Sequence, residues 1–445
     1  MDLQDQVARA LAGDKAALIA LLRQHLGWAR AEVAAVGRGD ASALARAREA
    51  AAALVRGRTG VAVEPAVLGS HDEVTLAQLR RCLDHDDAVA GAICADGHRG
   101  YSQPVGAAVA YREHVSVSGV GYDTACGNLA VETSVPYGAV KDRAGALLDA
   151  ILDRVSFGVG LRNARPAEHA LLDDDEAWRA ADAVPLRALA RSQLGTVGAG
   201  NHYVDLFHDA RPGVAAESSP VWIGIHFGSR GLGHKLATQY LRRGGGRDGM
   251  DQPPTLLRQD SDLGRGYLAA MELAGRYAYA GREWVAEQVL AVLGGEERSR
   301  VHNHHNFAWR EAVAGGPAWV VRKGCTPAFA GQQGFVGGSM GDDAVILEGV
   351  GGADAAALLH STVHGAGRVF GRNQAKRTFT REAMEAWLRE RGVALRGEDV
   401  DESPMAYRRL PDVLAEHAGT IRVLHALRPF AVAMAGAGEV DPYKD

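Results

Sequence analysis

The chain has few cysteines, no excess of either charge and no long apolar run, and each absence narrows what it can be. Its four cysteines, Cys82, Cys94, Cys126 and Cys325, lie far apart and form no CxxC pair. That spacing argues against both a disulfide framework and a structural zinc ribbon. The 49 Lys and Arg against 54 Asp and Glu leave a formal net charge of −5. This is not the balance of a protein that coats nucleic acid non-specifically, although it leaves room for a local basic groove. Nowhere do about 18 apolar residues run uninterrupted, and the acidic start, Met1 to Gln6, lacks the basic and apolar blocks of a signal peptide. A cytoplasmic protein with no membrane partner is the expectation. A G-x-x-x-x-G-K-[ST] loop is also missing, which argues against a P-loop ATPase.

What the chain does have is glycine and histidine: 55 Gly and 17 His in 445 residues, against a usual glycine share of about 7%. Without a collagen-like period, so much glycine points to tight turns and close backbone approaches to a ligand or metal. Hydrophobic residues at 47% and charged residues at 23% are ordinary for a globular protein that buries a sizeable core.

From Asp2 to about Arg56 the chain is rich in Ala, Leu, Arg and Glu, with apolar residues at helical spacing (Val7, Leu11, Leu18, Leu22, Leu44, Leu54). Two or three helices are expected, broken near Gly37 to Asp40, as an N-terminal extension over residues 1–60 joined at Gly57 to Gly60. Over residues 61–445 the texture changes to short β-like runs punctuated by glycine: Val115 to Val120, Val221 to His226, Trp319 to Val321 and Ala344 to Leu347. Tyr267 to Leu293 reads as a long helix and Arg381 to Arg391 as a shorter one. Strands and helices do not alternate as βαβ units, so one large α+β domain with a buried site is expected rather than a doubly wound sheet.

Six segments pair ligand-type side chains with glycines: Asp96 to His98, Gly121 to Asn128, Gly198 to His202, His226 to Gly231, His304 to Asn306 and His364 to Arg368. A lone cysteine is usually a small core residue, and a lone histidine usually a hydrogen-bonded polar one. Recurrence of the same pairing is what raises the functional reading. Asp123 and Cys126, separated by two residues, allow a carboxylate and a thiolate to approach one centre from a single turn. With His202, His226 and His305 they make a mixed O, N and S set suited to Zn, Mn, Fe or Co rather than Mg or Ca. Two other patterns carry nothing. Gly337-Gly338-Ser339-Met340-Gly341 has the G-x-S-x-G spacing, but a strand and not a helix is expected after the serine. Gly195-x-x-Gly198-x-Gly200 has the wrong spacing for a dinucleotide fingerprint.

Taken together, these blocks resemble the RtcB family of RNA-splicing ligases from roughly Val61 to Met434. The resemblance rests on Asp96 to Tyr101, Gly119 to Asn128, Leu194 to His202, His226 to Gly231, His305-Asn306, Arg322 to Gly324, Gly338 to Gly341, His364 to Arg368 and Asp401 to Tyr407. It implies a single large α+β domain with a buried dinuclear metal site. It also implies a GTP- and manganese-dependent ligase that joins RNA 3′-phosphate or 2′,3′-cyclic phosphate ends to 5′-hydroxyl ends, in tRNA splicing or RNA repair. Cys126 would bridge two Mn²⁺ ions, with Asp123 and His202 completing one site and His226 and His305 the other. His364 would be the nucleophile that carries GMP. Asn201, Asp205, Ser339, Met340, Gly341, Ala366, Gly367 and Tyr407 would hold the nucleotide, Arg230 and Arg368 the RNA phosphates, and Asp96 and His98 would orient the ligands and nucleophile.

The chain departs from the family in the guanine-reading group. Where the family has a glutamate, a serine, a tyrosine and a near-terminal lysine, this chain has Asp205, Ala344, Tyr407 and Met434, with Lys444 as a candidate substitute for the lysine. Altered base recognition is therefore expected. Two alternatives stand beside the ligase: a metal-dependent phosphoesterase, or ligase of other nucleotide specificity, and a non-catalytic protein that binds RNA ends.

Overall fold

The alanine-rich spacing at the start of the chain is realised as four helices, Leu3–Leu11, Lys15–Gln24, Arg30–Arg38 and Ala41–Ala53, one more than the most the spacing suggested. The additional break falls at Gly13, whose positive φ of 105° no alanine would adopt at low cost, and Asp14 then caps the second helix by accepting from Ala17 N–H. Val7, Leu18, Leu21, Leu22, Val33, Val36 and Ala47 bury one face of each helix in a common core. The computed structural model describes residues 3–24, 28, 30–53, 63–247, 249–397 and 399–436. The expected junction at Gly57 to Gly60 and the candidate Lys444 lie outside the described residues. By contacts the chain divides into two units, Met1–Ala62 and Val63–Asp445.

The second unit is built on two mainly antiparallel sheets. The smaller orders its strands Ala66–Val67, Ala88–His98, Val105–Tyr111, Gly316–Lys323 and Asn306–Val313. The larger runs Gln333–Val336, Ala344–Gly349, Ile421–Met434, Tyr203–Asp209, Pro220–Phe227, Gly127–Pro136 and Glu297–His304, with Ala394–Arg396 added beside Ile421–Met434. The two sheets meet where Glu297–His304 of the larger is followed, after the single residue His305, by Asn306–Val313 of the smaller. That junction places His305 on the seam between them.

The expected strand over Val115 to Val120 is only half a strand. His114–Ser116 pairs with Leu256–Arg258, but Val117–Val120 is one helical turn. Ser116 caps that turn by accepting from Gly119 N–H, and Gly121 ends it at a φ of 84°, so local capping outweighs the β-propensity of the valines.

The long helix runs Asp262–Leu293, five residues longer at its start than the apolar spacing indicated, because Ser261 caps it by accepting from Gly264 N–H. Gly294 closes it in a left-handed conformation. Its first part, including Tyr267, Met271 and Tyr277, packs into one core with Tyr111, Trp178 and Tyr240. Its last part, with Val285, Val289 and Leu293, packs into a second core with Leu129, Ile223, Ile225 and Phe430. Among the described residues no helix is long and apolar enough to cross a membrane.

Candidate metal and nucleophile site

Five of the sequence-selected residues converge where the sheets meet. Asp123 to Cys126 forms a turn closed by the Cys126 N–H donating to Asp123 O at 3.0 Å, and Ala125 within it holds a positive φ of 62°. A left-handed alanine is disfavoured by its Cβ and persists only where surroundings impose it. Cys126 Sγ lies 3.6 Å from His202 Nε2 and 3.6 Å from His226 Nε2, and His202 Nε2 lies 3.3 Å from Asp123 Oδ2. His305 stacks on His226 at a centroid distance of 5.2 Å, and its backbone N–H donates to Cys126 O.

The donor set fits a borderline first-row metal. Cys126, His202 and His226 present ligand atoms all within 4.8 Å of one another. Each of these pairs, at 3.3–3.6 Å, matches two neighbouring donors held roughly 2.0–2.3 Å from a shared ion. His226 Nδ1 lies 2.6 Å from Asn128 Oδ1; donating there directs the ring's lone pair at Nε2 toward the thiol. Ring nitrogens Nδ1 of His202 and His305 are buried with no hydrogen-bond partner. Gly228 lets the next strand end approach: a Cβ there would lie 2.3 Å from Asp123 Oδ1 and 3.1 Å from the Cys126 backbone.

Electrostatics leave most of the cluster ready to coordinate. Burial pushes the His226 and His305 imidazoles well below their ordinary value, reinforced for His226 first by His202 and for His305 first by His364, so both rings are neutral donors. Burial opposes ionisation of Asp123, but His202, Cys126 and His226 outweigh it and hold the carboxyl below the usual carboxylate range. Burial and the adjacent Asp123 raise the Cys126 thiol well above its ordinary value. The thiol therefore gives up its proton only where a cation displaces it.

His364 stands next to this cluster, its ring edge-on to His305 at 5.1 Å. Fully buried Asp96 lies with Oδ2 2.6 Å from His364 Nδ1 and accepts the backbone N–H groups of His364 at 3.0 Å and Gly365 at 3.4 Å. Donation from Nδ1 to this carboxylate fixes the tautomer and leaves Nε2 with its lone pair. His98 Nδ1 contacts Asp96 O at 3.0 Å, and burial lowers its pKa to about 4.

A cavity of about 760 Å³ connects these groups. Asn201, Asp205, Ser339, Met340, Ala366, Gly367 and Tyr407 all line it, as do Arg230, Arg368 and His98. Gly341 lies behind Met340 instead, where a Cβ would meet Leu388 and Trp387 at 3.1 Å. Ala344 is packed with Phe207, Trp222 and Phe335 in the core under the large sheet. At the end bounded by Met340, Met434 and Tyr203, Asp205 is 6% exposed and its Oδ1 has no hydrogen-bond partner. Burial raises its carboxyl well above the ordinary value.

The two arginines are tied to the protein as well as facing the cavity. Arg368 donates to Phe370 O, Glu402, Tyr407 Oη and Asp401 O, at 2.7–3.1 Å, and so holds Tyr407 in place. Arg230, at a positive φ of 56°, donates to Gly158 O at 3.0 Å and to Thr196 Oγ1 at 3.3 Å. Sequence reading missed the role of Asn128, although its pairing opposite His226 across two strands is a signal that a strand register would have supplied.

A family model described as tRNA-splicing ligase RtcB matches residues 78–435. The chain is 32% identical to the RNA-splicing ligase RtcB of Mycobacterium tuberculosis, over 75% of this chain and 94% of that one. It is 29% identical to the tRNA-splicing ligase RtcB of Thermococcus kodakarensis, over 77% and 86%. With the RNA-splicing ligase RtcB of Escherichia coli K12 the identity is 28%, over 76% and 88%.

Proposed function

The chain belongs to the RtcB family, and from that premise we propose that it is a GTP- and manganese-dependent RNA ligase. It would join RNA 3′-phosphate or 2′,3′-cyclic phosphate ends to 5′-hydroxyl ends through a histidine–GMP intermediate on His364. The observation that carries this reading is the placement of His364, with Nδ1 held by Asp96, beside His305 and the cluster of Asp123, Cys126, His202 and His226. Cys126 would bridge two Mn²⁺ ions, with Asp123 and His202 on one and His226 and His305 on the other. Bound there, the ions would supply positive charge to the attacked phosphate and to the leaving group.

The chain's own residues account for the rest. His364 Nε2 attacks the GTP α-phosphorus, the bond to pyrophosphate breaks, and Asp96 keeps the proton on Nδ1 and stabilises the charge that develops on the ring. An RNA 3′-phosphate oxygen then attacks the same phosphorus and the P–N bond breaks, returning the lone pair to Nε2. Finally the 5′-hydroxyl attacks the activated 3′-phosphate, the bond to GMP breaks and GMP leaves, and the hydroxyl proton passes to solvent; a 2′,3′-cyclic phosphate end would first take up water, breaking its bond to the 2′-oxygen. Asn201, Ser339, Ala366 and Gly367 on the cavity wall hold the nucleotide, while Arg230 and Arg368 face the RNA phosphates. We read residues 61–445 as the catalytic domain, residues 1–60 as an appended helical extension, and the protein as cytoplasmic.

Incubation with Mn²⁺ and α-labelled GTP is expected to give an acid-labile protein adduct that His364→Ala abolishes. Absence of an adduct with any nucleotide removes the reading. A second reading, a ligase that uses a different nucleotide, is favoured by buried Asp205, which meets a base edge as a neutral acid with one donor and one acceptor. Labelling with ATP and GTP side by side separates the two.

A further inference from the structure

We propose that Arg282 is a positioning residue for the metal site, because its single guanidinium grips the backbone or ring next to each of three ligand-bearing segments. Arg282 lies on the long helix, has 0% exposure, and none of its contacts is to a ligand itself. Nη1 donates to Ala125 O at 3.2 Å and to Phe227 O at 2.5 Å, and Nη2 contacts His304 Nδ1 at 3.1 Å. Ala125 precedes Cys126, Phe227 follows His226, and His304 precedes His305. Each contact is thus one residue from a residue of the cluster, on a turn and two strand ends that are remote in sequence. The fourth contact, Nε to His302 Nε2 at 2.8 Å, fixes the guanidinium plane, and the charge lies over Tyr279 at 5.2 Å.

Two further observations distinguish this from ordinary packing. Among the described residues no Asp or Glu pairs with Arg282, so a buried cation is retained without a carboxylate partner, an arrangement that is costly unless the site gains from it. Ala125, whose carbonyl it takes, also holds the left-handed φ of 62°, and the Arg282 bond supports a conformation that alanine would otherwise leave. A planar fork with donors on three edges can hold several carbonyl and imidazole acceptors in fixed relation; a lysine ammonium at the end of a flexible stem cannot. Groups that orient ligands from outside the donor set typically contribute 10–100-fold to metal affinity.

This inference rests on the metal reading of the cluster, so the wild-type protein is titrated in parallel: a wild type that binds no Mn²⁺ removes that reading. The full-length chain is compared as wild type, Arg282→Lys, Arg282→Ala and His302→Ala. Mn²⁺ affinity is measured by calorimetry, Co²⁺–thiolate absorption reports ligand geometry, and thermal unfolding of the metal-free forms checks the fold. Arg282→Lys is expected to fold, to bind Mn²⁺ about 10–100-fold more weakly and to shift the Co²⁺ band. Added guanidinium should restore binding to Arg282→Ala. Folded Arg282→Lys with wild-type affinity and an unchanged band would overturn the proposal. If neither Arg282 variant folds, His302→Ala decides: weaker Mn²⁺ binding supports the role, and wild-type affinity overturns it.

Discussion

Asp96 Oδ2 lies 2.6 Å from His364 Nδ1 and also accepts the backbone N–H of the same residue at 3.0 Å. One carboxylate oxygen thereby sets both the ring tautomer and the position of the residue that bears it. Burial alone would raise the Asp96 carboxyl, but His364 overcomes it and keeps the group ionised. Asp96→Ala is expected to slow formation of the nucleotide adduct roughly 100-fold or more while leaving Mn²⁺ affinity near wild type. Rapid-quench labelling and calorimetry measure the two. An equal loss of metal binding would mean that Asp96 supports the cluster rather than His364.

Gly228 gives a steric test of the cluster. Its substitution by alanine would place a Cβ 2.3 Å from Asp123 Oδ1 and 3.1 Å from Cys126 N. The carboxylate can swing away, but the Cys126 backbone must also shift. Gly228→Ala is expected to weaken Mn²⁺ binding by about 10-fold or more with little change in the circular dichroism spectrum. Undiminished binding would show that neither Asp123 nor Cys126 is needed where the structure places it.

Asp205 can be tested by removing its ability to ionise. Burial keeps its carboxyl well above the ordinary value, so the folded protein presents it as a neutral acid. Asp205→Asn preserves its size and its pairing capacity, and nucleotide labelling is expected to stay within about threefold of wild type. A loss beyond 10-fold would mean that the bound base pairs with the carboxylate form.

A pH dependence of stability follows from Asp209, far along the same strand. Burial opposes its ionisation, but hydrogen bonds from Arg211 and His425 outweigh it and lower its pKa, with Arg211 Nη2 at 2.7 Å and His425 Nδ1 at 2.9 Å. A depressed folded-state value means the contribution is complete above the unfolded value of about 3.9 and is lost as pH falls through the folded one. Asp209→Asn should lower Tm at neutral pH, with the gap to wild type closing only below about pH 4. Thermal melts of both proteins across that range test this, and a gap that closes near pH 6 would contradict it.

The candidate ligand residues were legible because each is a chemically distinctive side chain set among glycines, and the glycines are needed to let strand ends crowd together, as at Gly228. The long helix and the strands at Pro220–Phe227, Gly316–Lys323 and Ala344–Gly349 were legible from apolar runs. Val117–Val120 was not, since one serine cap decided it against the β-propensity of its two valines. The wall position of Met340 and the hidden position of Gly341 differ by one residue and depend on the packing of Trp387. Arg282 left no trace in the sequence: an arginine in a long helix reads as surface, and only the fold shows it at 0% exposure.

The long helix spans the two apolar cores, with Tyr277 in one and Val285 in the other, and Arg282 falls between them. Neither half can melt without disturbing the segment from which the other half hangs, so the second unit should lose its structure as one cooperative block. The same geometry makes an ion bound at the sheet junction a clamp on both halves. Loading it should slow amide hydrogen exchange on either side of Arg282 together, by the linkage between binding and folding.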